Sequence, residues 1–222
     1  MFAEAHGNLL QADFVFPPEG APAAADRPVG SPRPAMSPGQ AALIQLLAQY
    51  SRHALGDATL VEAQKLACFL QVAGEQLRLG VSGHHYGPYA DALRHVLLAI
   101  EGHCLSGFGD GSSPVQQSEP LRLLPGVAEA AATALVDRPD SAAHLARVRE
   151  LIEGFETPYG LELLATAHWV LSHGAPGADE AVVASVRGWS HRQGRMFTPD
   201  HIAVAIDTLR SHGWTAELAA AR

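Results

Sequence analysis

From Ser37 onward the apolar positions recur at helical spacing. Leu43, Ile44, Leu46, Leu47 and Tyr50 share one helical face. Ahead of them, Ser37-Pro38-Gly39-Gln40 places serine at the N-cap, proline at the first helical position and glutamine at the third, which is a capping box. Thr59 and Glu62 form a second box and open a helix over 60–73, with Leu66, Phe69, Leu70 and Ala73 on one face and Gly74 as its stop. The alternation in Gln76-Leu77-Arg78-Leu79 predicts a short strand. A turn is expected over Gly83–Pro88, and helical periodicity returns from Tyr89 to Ile100 through Leu93, Val96 and Leu97.

Residues 102–111 are rich in glycine, and Leu105–Phe108 is expected to pair with Leu121-Arg122-Leu123 as a small sheet. Further helices are predicted near 126–136, 141–153, 158–173 and 179–190. A last one starts after Thr198-Pro199 and ends near Ser211. The pattern therefore predicts an α+β fold, predominantly helical, over residues 37–214, with a small antiparallel sheet of about three short strands. Residues 1–36 differ: after Phe14-Val15-Phe16 comes a stretch of proline, alanine and glycine that suits a poorly ordered linker. Residues 215–222 are expected to be a tail.

Composition narrows the function classes. The chain has 222 residues, is 47% hydrophobic and carries 15 basic against 23 acidic residues, for a net charge of −8. That balance argues against a direct grip on nucleic-acid phosphates as the main activity. No apolar run reaches the roughly 18 residues of a membrane span, and no secretory leader is recognisable, so a cytoplasmic setting without membrane contact is expected. The two cysteines, Cys68 and Cys104, form no CxxC pair. Lys65 is the one lysine among the basic residues.

Twelve histidines raise the question of a metal, but none pairs at the HExxH spacing, and His168 and His173 lie about 140° apart around a helix. No metal is expected. Cys68 reads as a small core residue. Cys104, adjacent to His103, would face away from it in a strand. There is no GxSxG elbow and no phosphate loop, and Gly107-Phe108-Gly109-Asp110-Gly111 reads as a turn. Neither a catalytic residue nor a cofactor is assigned.

Charge is uneven along the chain: −2 over residues 1–38, −6 over 39–174 and 0 over 175–222. In the middle block, Glu150, Glu153, Glu156 and Glu162 follow one another with no basic residue between them. The first pair, at i, i+3, sets carboxylates about 5–6 Å apart on one helix face. Such a row either faces solvent or imitates a run of backbone phosphates. Arg187, His191, Arg192 and Arg195 gather near the other end, as a solvated turn or as a contact to an acidic partner or nucleic acid.

Several strings resemble the C-terminal domain of the DarG family. They are Glu62-Ala63-Gln64-Lys65-Leu66 with Phe69, Tyr86-Gly87-Pro88-Tyr89-Ala90-Asp91, Leu93-Arg94-His95-Val96-Leu97, Glu101-Gly102-His103 and Gly107–Gly111. Ile152–Ala165, His168-Trp169-Val170 and Val186–Ile206 extend the likeness over roughly residues 37–214. Members of that family are antitoxins to DarT, which attaches ADP-ribose from NAD to thymidines in single-stranded DNA. The resemblance implies an N-terminal macrodomain that removes the ADP-ribose and a C-terminal domain that binds the toxin. Residues 7–18 resemble only the first and last strands of that macrodomain.

The resemblance therefore implies an antitoxin domain that neutralises a DarT-like toxin by occluding its DNA site through DNA mimicry, with no enzymatic activity of its own. Glu150, Glu153, Glu156 and Glu162 are the expected toxin-binding acids, with His85, Tyr86 and Tyr89 stacking where bases would lie. Against the tyrosines stands a rigid structural turn at Tyr86-Gly87-Pro88-Tyr89. The alternatives are the family's DNA ADP-ribosyl glycohydrolase activity and a DNA-binding autoregulator. Oligomeric state is left open.

Overall fold

The computed structural model describes residues 35–54, 56–111, 118–174 and 178–215, so the linker and tail expected at the two ends lie almost wholly outside the described residues. Its helices come in the order α1 (Pro38–His53), α2 (Leu60–Val72), α3 (Asp91–Ile100), α4 (Val127–Ala134), α5 (Pro139–Ile152), α6 (Pro158–His173), α7 (Asp179–Gly188), α8 (His191–Met196) and α9 (Pro199–Ser211). Two antiparallel hairpins accompany them: β1 (Val81–His84) with β2 (Gly87–Ala90), and β3 (Leu105–Ser106) with β4 (Arg122–Leu123). The fold is α+β and predominantly helical. The expected small sheet is present as two separate two-stranded pairs.

Local chemistry sets the helix starts. Both predicted capping boxes close, Ser37 with Gln40 and Thr59 with Glu62, and Thr157 and Thr198 cap helices that carry proline in their first turn. At the centre lie α2 and α6, packed on each other and flanked by α1, α5 and α9. Both are buried on nearly all sides, from Glu62 to Leu70 and from Gly160 to His168. Full burial forces their polar side chains to find partners inside the protein.

Three local expectations change. The segment 76–79 is not a strand, because the Gln71 side chain pairs with the backbone of Leu79 and Arg78 adopts a left-handed φ of 55°. Extended pairing begins later, over 81–90, and takes Tyr89 and Ala90 out of the predicted helix. The cause is Gln64, whose side-chain amide donates to Ala90 O at 3.2 Å and accepts from Ala90 N at 3.0 Å, a side chain acting as a strand neighbour. Third, the helix expected over 179–190 divides at Ser190, which is extended and whose hydroxyl caps Gln193 N to start α8.

The glycine-rich segment is a turn, as its spacing implies. The Glu101 carboxylate accepts from Gly107 N and Phe108 N, each at 3.2 Å. Gly107 has φ 109°, and a Cβ there would lie 2.2 Å from Pro120 O, so only glycine fits.

Candidate functional site: the aromatic hairpin

The β1–β2 hairpin lies on α2 and α6. Beneath it runs a buried polar network. Lys65 is 1% exposed and its ammonium donates to Pro88 O. Glu162 is 2% exposed and accepts from Arg192 Nη1 and, at 2.9 Å, from Gln193 Nε2. The Gln193 amide also reaches Thr166 Oγ1 at 3.3 Å, and Thr166 donates to Glu162 O at 2.7 Å. Gly87, with φ 82°, sits directly on Thr166: a Cβ would approach its hydroxyl to 2.6 Å. The network thus locks the hairpin, α2, α6 and α8 together.

Burial lowers the Lys65 pKa from 10.5 to about 8, with Cys68 and Glu162 opposing the shift. The Cys68 thiol, buried in the same region, is pushed up to about 11 by desolvation, which makes it inert rather than nucleophilic at neutral pH.

Aromatic rings collect above the network. Trp189 Nε1 donates to His84 O at 2.7 Å, and the Trp189 ring lies over Gly83, where a Cβ would meet it at 3.1 Å. Trp169 is edge-on to Trp189 at 6.5 Å and stacks on His173 at 3.7 Å. His84 lies against Tyr89 at 5.2 Å, His85 against Tyr86 at 5.1 Å, and the Arg192 guanidinium covers the Tyr86 ring at 5.1 Å. His84, His85 and His173 are exposed, and both tyrosines and both tryptophans are half-buried. A cavity of about 260 Å³ opens between Lys65, Gln64, His84, Tyr86, Tyr89 and Asp91.

The expected site residues fall in two places. His85, Tyr86 and Tyr89 share the hairpin, with His85 and Tyr86 at its tip. Glu150 on α5 and Glu153 at its C-cap are exposed, and Glu156 is half-buried, its carboxylate accepting from Gly154 N at 2.7 Å. Glu162 leaves the acidic row: it points inward and neutralises Arg192, because the α6 face that carries it packs against α2 and α8 side chains. Arg149 lines the same small crevice as Glu156, which places a cation next to the remaining row. Sequence reasoning passed over Trp169, Trp189 and the Lys65–Glu162–Arg192 network. A lone lysine inside an apolar helix was the available clue to the last of these.

Among the described residues no helix is long and apolar enough to cross a membrane, and no group of three or more His, Cys, Asp or Glu side chains gathers at metal-binding distance.

No family model matches the chain. It is 40% identical over 182 residues to a protein of Thermus aquaticus named DNA ADP-ribosyl glycohydrolase, a match covering 82% of this chain and 49% of that one. Proteins of the same name from Mycobacterium bovis and Mycobacterium tuberculosis are each 33% identical over 208 residues, covering 88% of this chain and 58% of theirs. The chain thus spans about half the length of the curated relatives it matches. These relatives support the kinship with DarG proteins that its motifs imply. They correct one expectation, that the chain lacks enzymatic activity: homologues across most of its length are named for an enzyme.

Proposed function

We propose that the chain acts in the release of ADP-ribose from DNA, the activity for which its relatives are named. Their 33–40% identity over most of the chain carries this reading. The geometry adds a cavity where Lys65, His84, Tyr86, Tyr89 and Asp91 meet. These are the residue types that orient a sugar and exchange protons with a leaving group. The test is to incubate the full chain with an oligonucleotide carrying ADP-ribose and to follow free ADP-ribose by mass spectrometry. Time-dependent release above a buffer control is expected. No release at protein equimolar with substrate overturns the reading.

A second reading is favoured by the acids at the α5–α6 corner. Glu150, Glu153 and Glu156 lie within one turn and its following loop, in a block of net charge −6. That arrangement suits neutralisation of a DarT-like DNA ADP-ribosyltransferase by filling its DNA groove with negative charge. Combined Glu150→Lys, Glu153→Lys and Glu156→Lys replacement should weaken capture of the transferase by about tenfold or more in a pull-down. Unchanged capture removes the mimicry.

A further inference from the structure

We infer that the cavity enclosed by α2, α6 and the β1–β2 hairpin is a binding site for a small neutral aromatic molecule of one or two fused rings. It shares no lining residue with the cavity at Lys65, so it stands apart from the release of ADP-ribose proposed above.

The cavity holds about 260 Å³. Its apolar walls are Phe69 and Val72 on α2, Ala165 and Trp169 on α6, and Val81 and Pro88 on the two strands. Protein interiors seldom keep a void larger than a water molecule, because the lining forfeits the contacts that would fill it. This one is open to solvent on one side. Val72 is 36% exposed, His173 is exposed and Trp169 is half-buried, so these three mark the mouth, while Phe69 and Ala165 form the buried floor. An apolar cavity of about 150 Å³ takes up one benzene ring, so the larger volume here has room for two fused rings.

Wall chemistry selects a neutral guest. Among the described residues, no Asp, Glu, Lys or Arg lines the cavity. The Gln71 amide at its edge pairs with both backbone groups of Leu79, and the Ser172 hydroxyl donates to His168 O at 2.6 Å. The Cys68 thiol, pushed up to about 11 by burial, stays protonated at neutral pH. A charged guest would lose its hydration with no counter-charge to replace it. Aromaticity follows from the rings. Trp169 is stacked on His173 at 3.7 Å and braced edge-on by Trp189 at 6.5 Å, and Phe69 meets His168 edge-on at 5.8 Å. Rings fixed before the guest arrives present flat faces and edges at little entropic cost. Such a guest touches the hairpin and both central helices, so its binding fastens β1–β2 to the core.

The probe is indole, titrated into the full chain by calorimetry and followed by saturation-transfer NMR. Saturable binding with a Kd of about 1 mM or tighter is expected. Ala165→Leu fills the floor, and Val72→Trp closes the mouth from a position where added volume has room. Each should weaken indole binding by about tenfold or more. L-Tryptophan, the same ring carrying an ammonium and a carboxylate, should bind at least about tenfold more weakly than indole. Phenol should bind about 2–10-fold tighter than cyclohexanol, which has the same size without the flat ring. Thermal melts by circular dichroism establish which variants are folded, and Val72→Trp decides if Ala165→Leu is not. No saturable indole binding at about ten times the expected Kd, or binding unchanged in the folded variants, overturns the site. L-Tryptophan binding as tightly as indole overturns the neutral guest, and cyclohexanol binding as tightly as phenol overturns the aromatic one.

Discussion

Lys65 shows how a single residue type is read differently once its surroundings are known. A lysine 1% exposed is held by its bond to Pro88 O and by nearby Glu162. Burial still lowers its pKa from 10.5 to about 8, and the consequence for stability has a definite sign. Below pH 8 both folded and unfolded chains keep the proton, and the folded chain bears the full desolvation penalty. Between pH 8 and 10.5 the folded chain has released the proton while the unfolded chain retains it, so stability rises with pH. Tyr50 acts in the opposite sense above pH 10: burial first, and then the hydrogen bond to Glu62, push its hydroxyl up, so the unfolded chain ionises before it. The Cys68 thiol, raised from 9.0 to about 11, opposes Lys65 in the same sense from pH 9, and both opposing groups drop out when the unaltered chain is compared with Lys65→Met over pH 8 to 10. There, urea denaturation should show the unaltered chain gaining on Lys65→Met by roughly 2 kcal/mol. Parallel curves for the two proteins contradict this account.

At the scale of elements, the β1–β2 hairpin is the clearest case of a structure made by its neighbours. Its own sequence, Val81-Ser82-Gly83-His84-His85-Tyr86-Gly87-Pro88-Tyr89-Ala90, lacks the clean alternation of a strand, and a two-stranded ribbon alone is marginal in water. Gln64 supplies a third set of backbone partners, Lys65 satisfies Pro88 O, and Trp189 covers Gly83. Gly87 is where this support is tightest. Gly87→Ala introduces a Cβ 2.6 Å from Thr166 Oγ1 at a φ of 82°. The expected loss is about 1–3 kcal/mol of unfolding free energy in urea denaturation, with a change in tryptophan fluorescence as Trp189 shifts. The capped helices, by contrast, were legible in the sequence because their determinants are local: Ser37, Thr59, Thr157 and Thr198 each bond a backbone N–H three residues on. The hairpin depends on residues as distant as Trp189, 105 positions from His84, and no window of sequence contains both.

For the whole molecule, Trp214 ties the end of α9 back to the central helices. It is 1% exposed, edge-on to Phe69 at 5.5 Å and to His168 at 6.0 Å, with the Arg147 guanidinium over its ring at 4.7 Å. Trp214→Ala removes a large side chain from a packed site, for an expected loss of about 3–5 kcal/mol in chemical denaturation. Loss of under about 1 kcal/mol shows that the site collapses without consequence.

By itself the sequence determined most of the helices, the capped starts at Ser37, Thr59, Thr157 and Thr198, the pairing of Leu105-Ser106 with Arg122-Leu123 and the resemblance carried by its motifs. All of these depend on periodicity or on residues a few positions apart. Only the tertiary structure decided which polar residues are interior and which rings touch. It withdrew Glu162 from a row of four acids and joined Tyr86 to Arg192, because burial and side-chain contact are properties of surfaces assembled from distant segments.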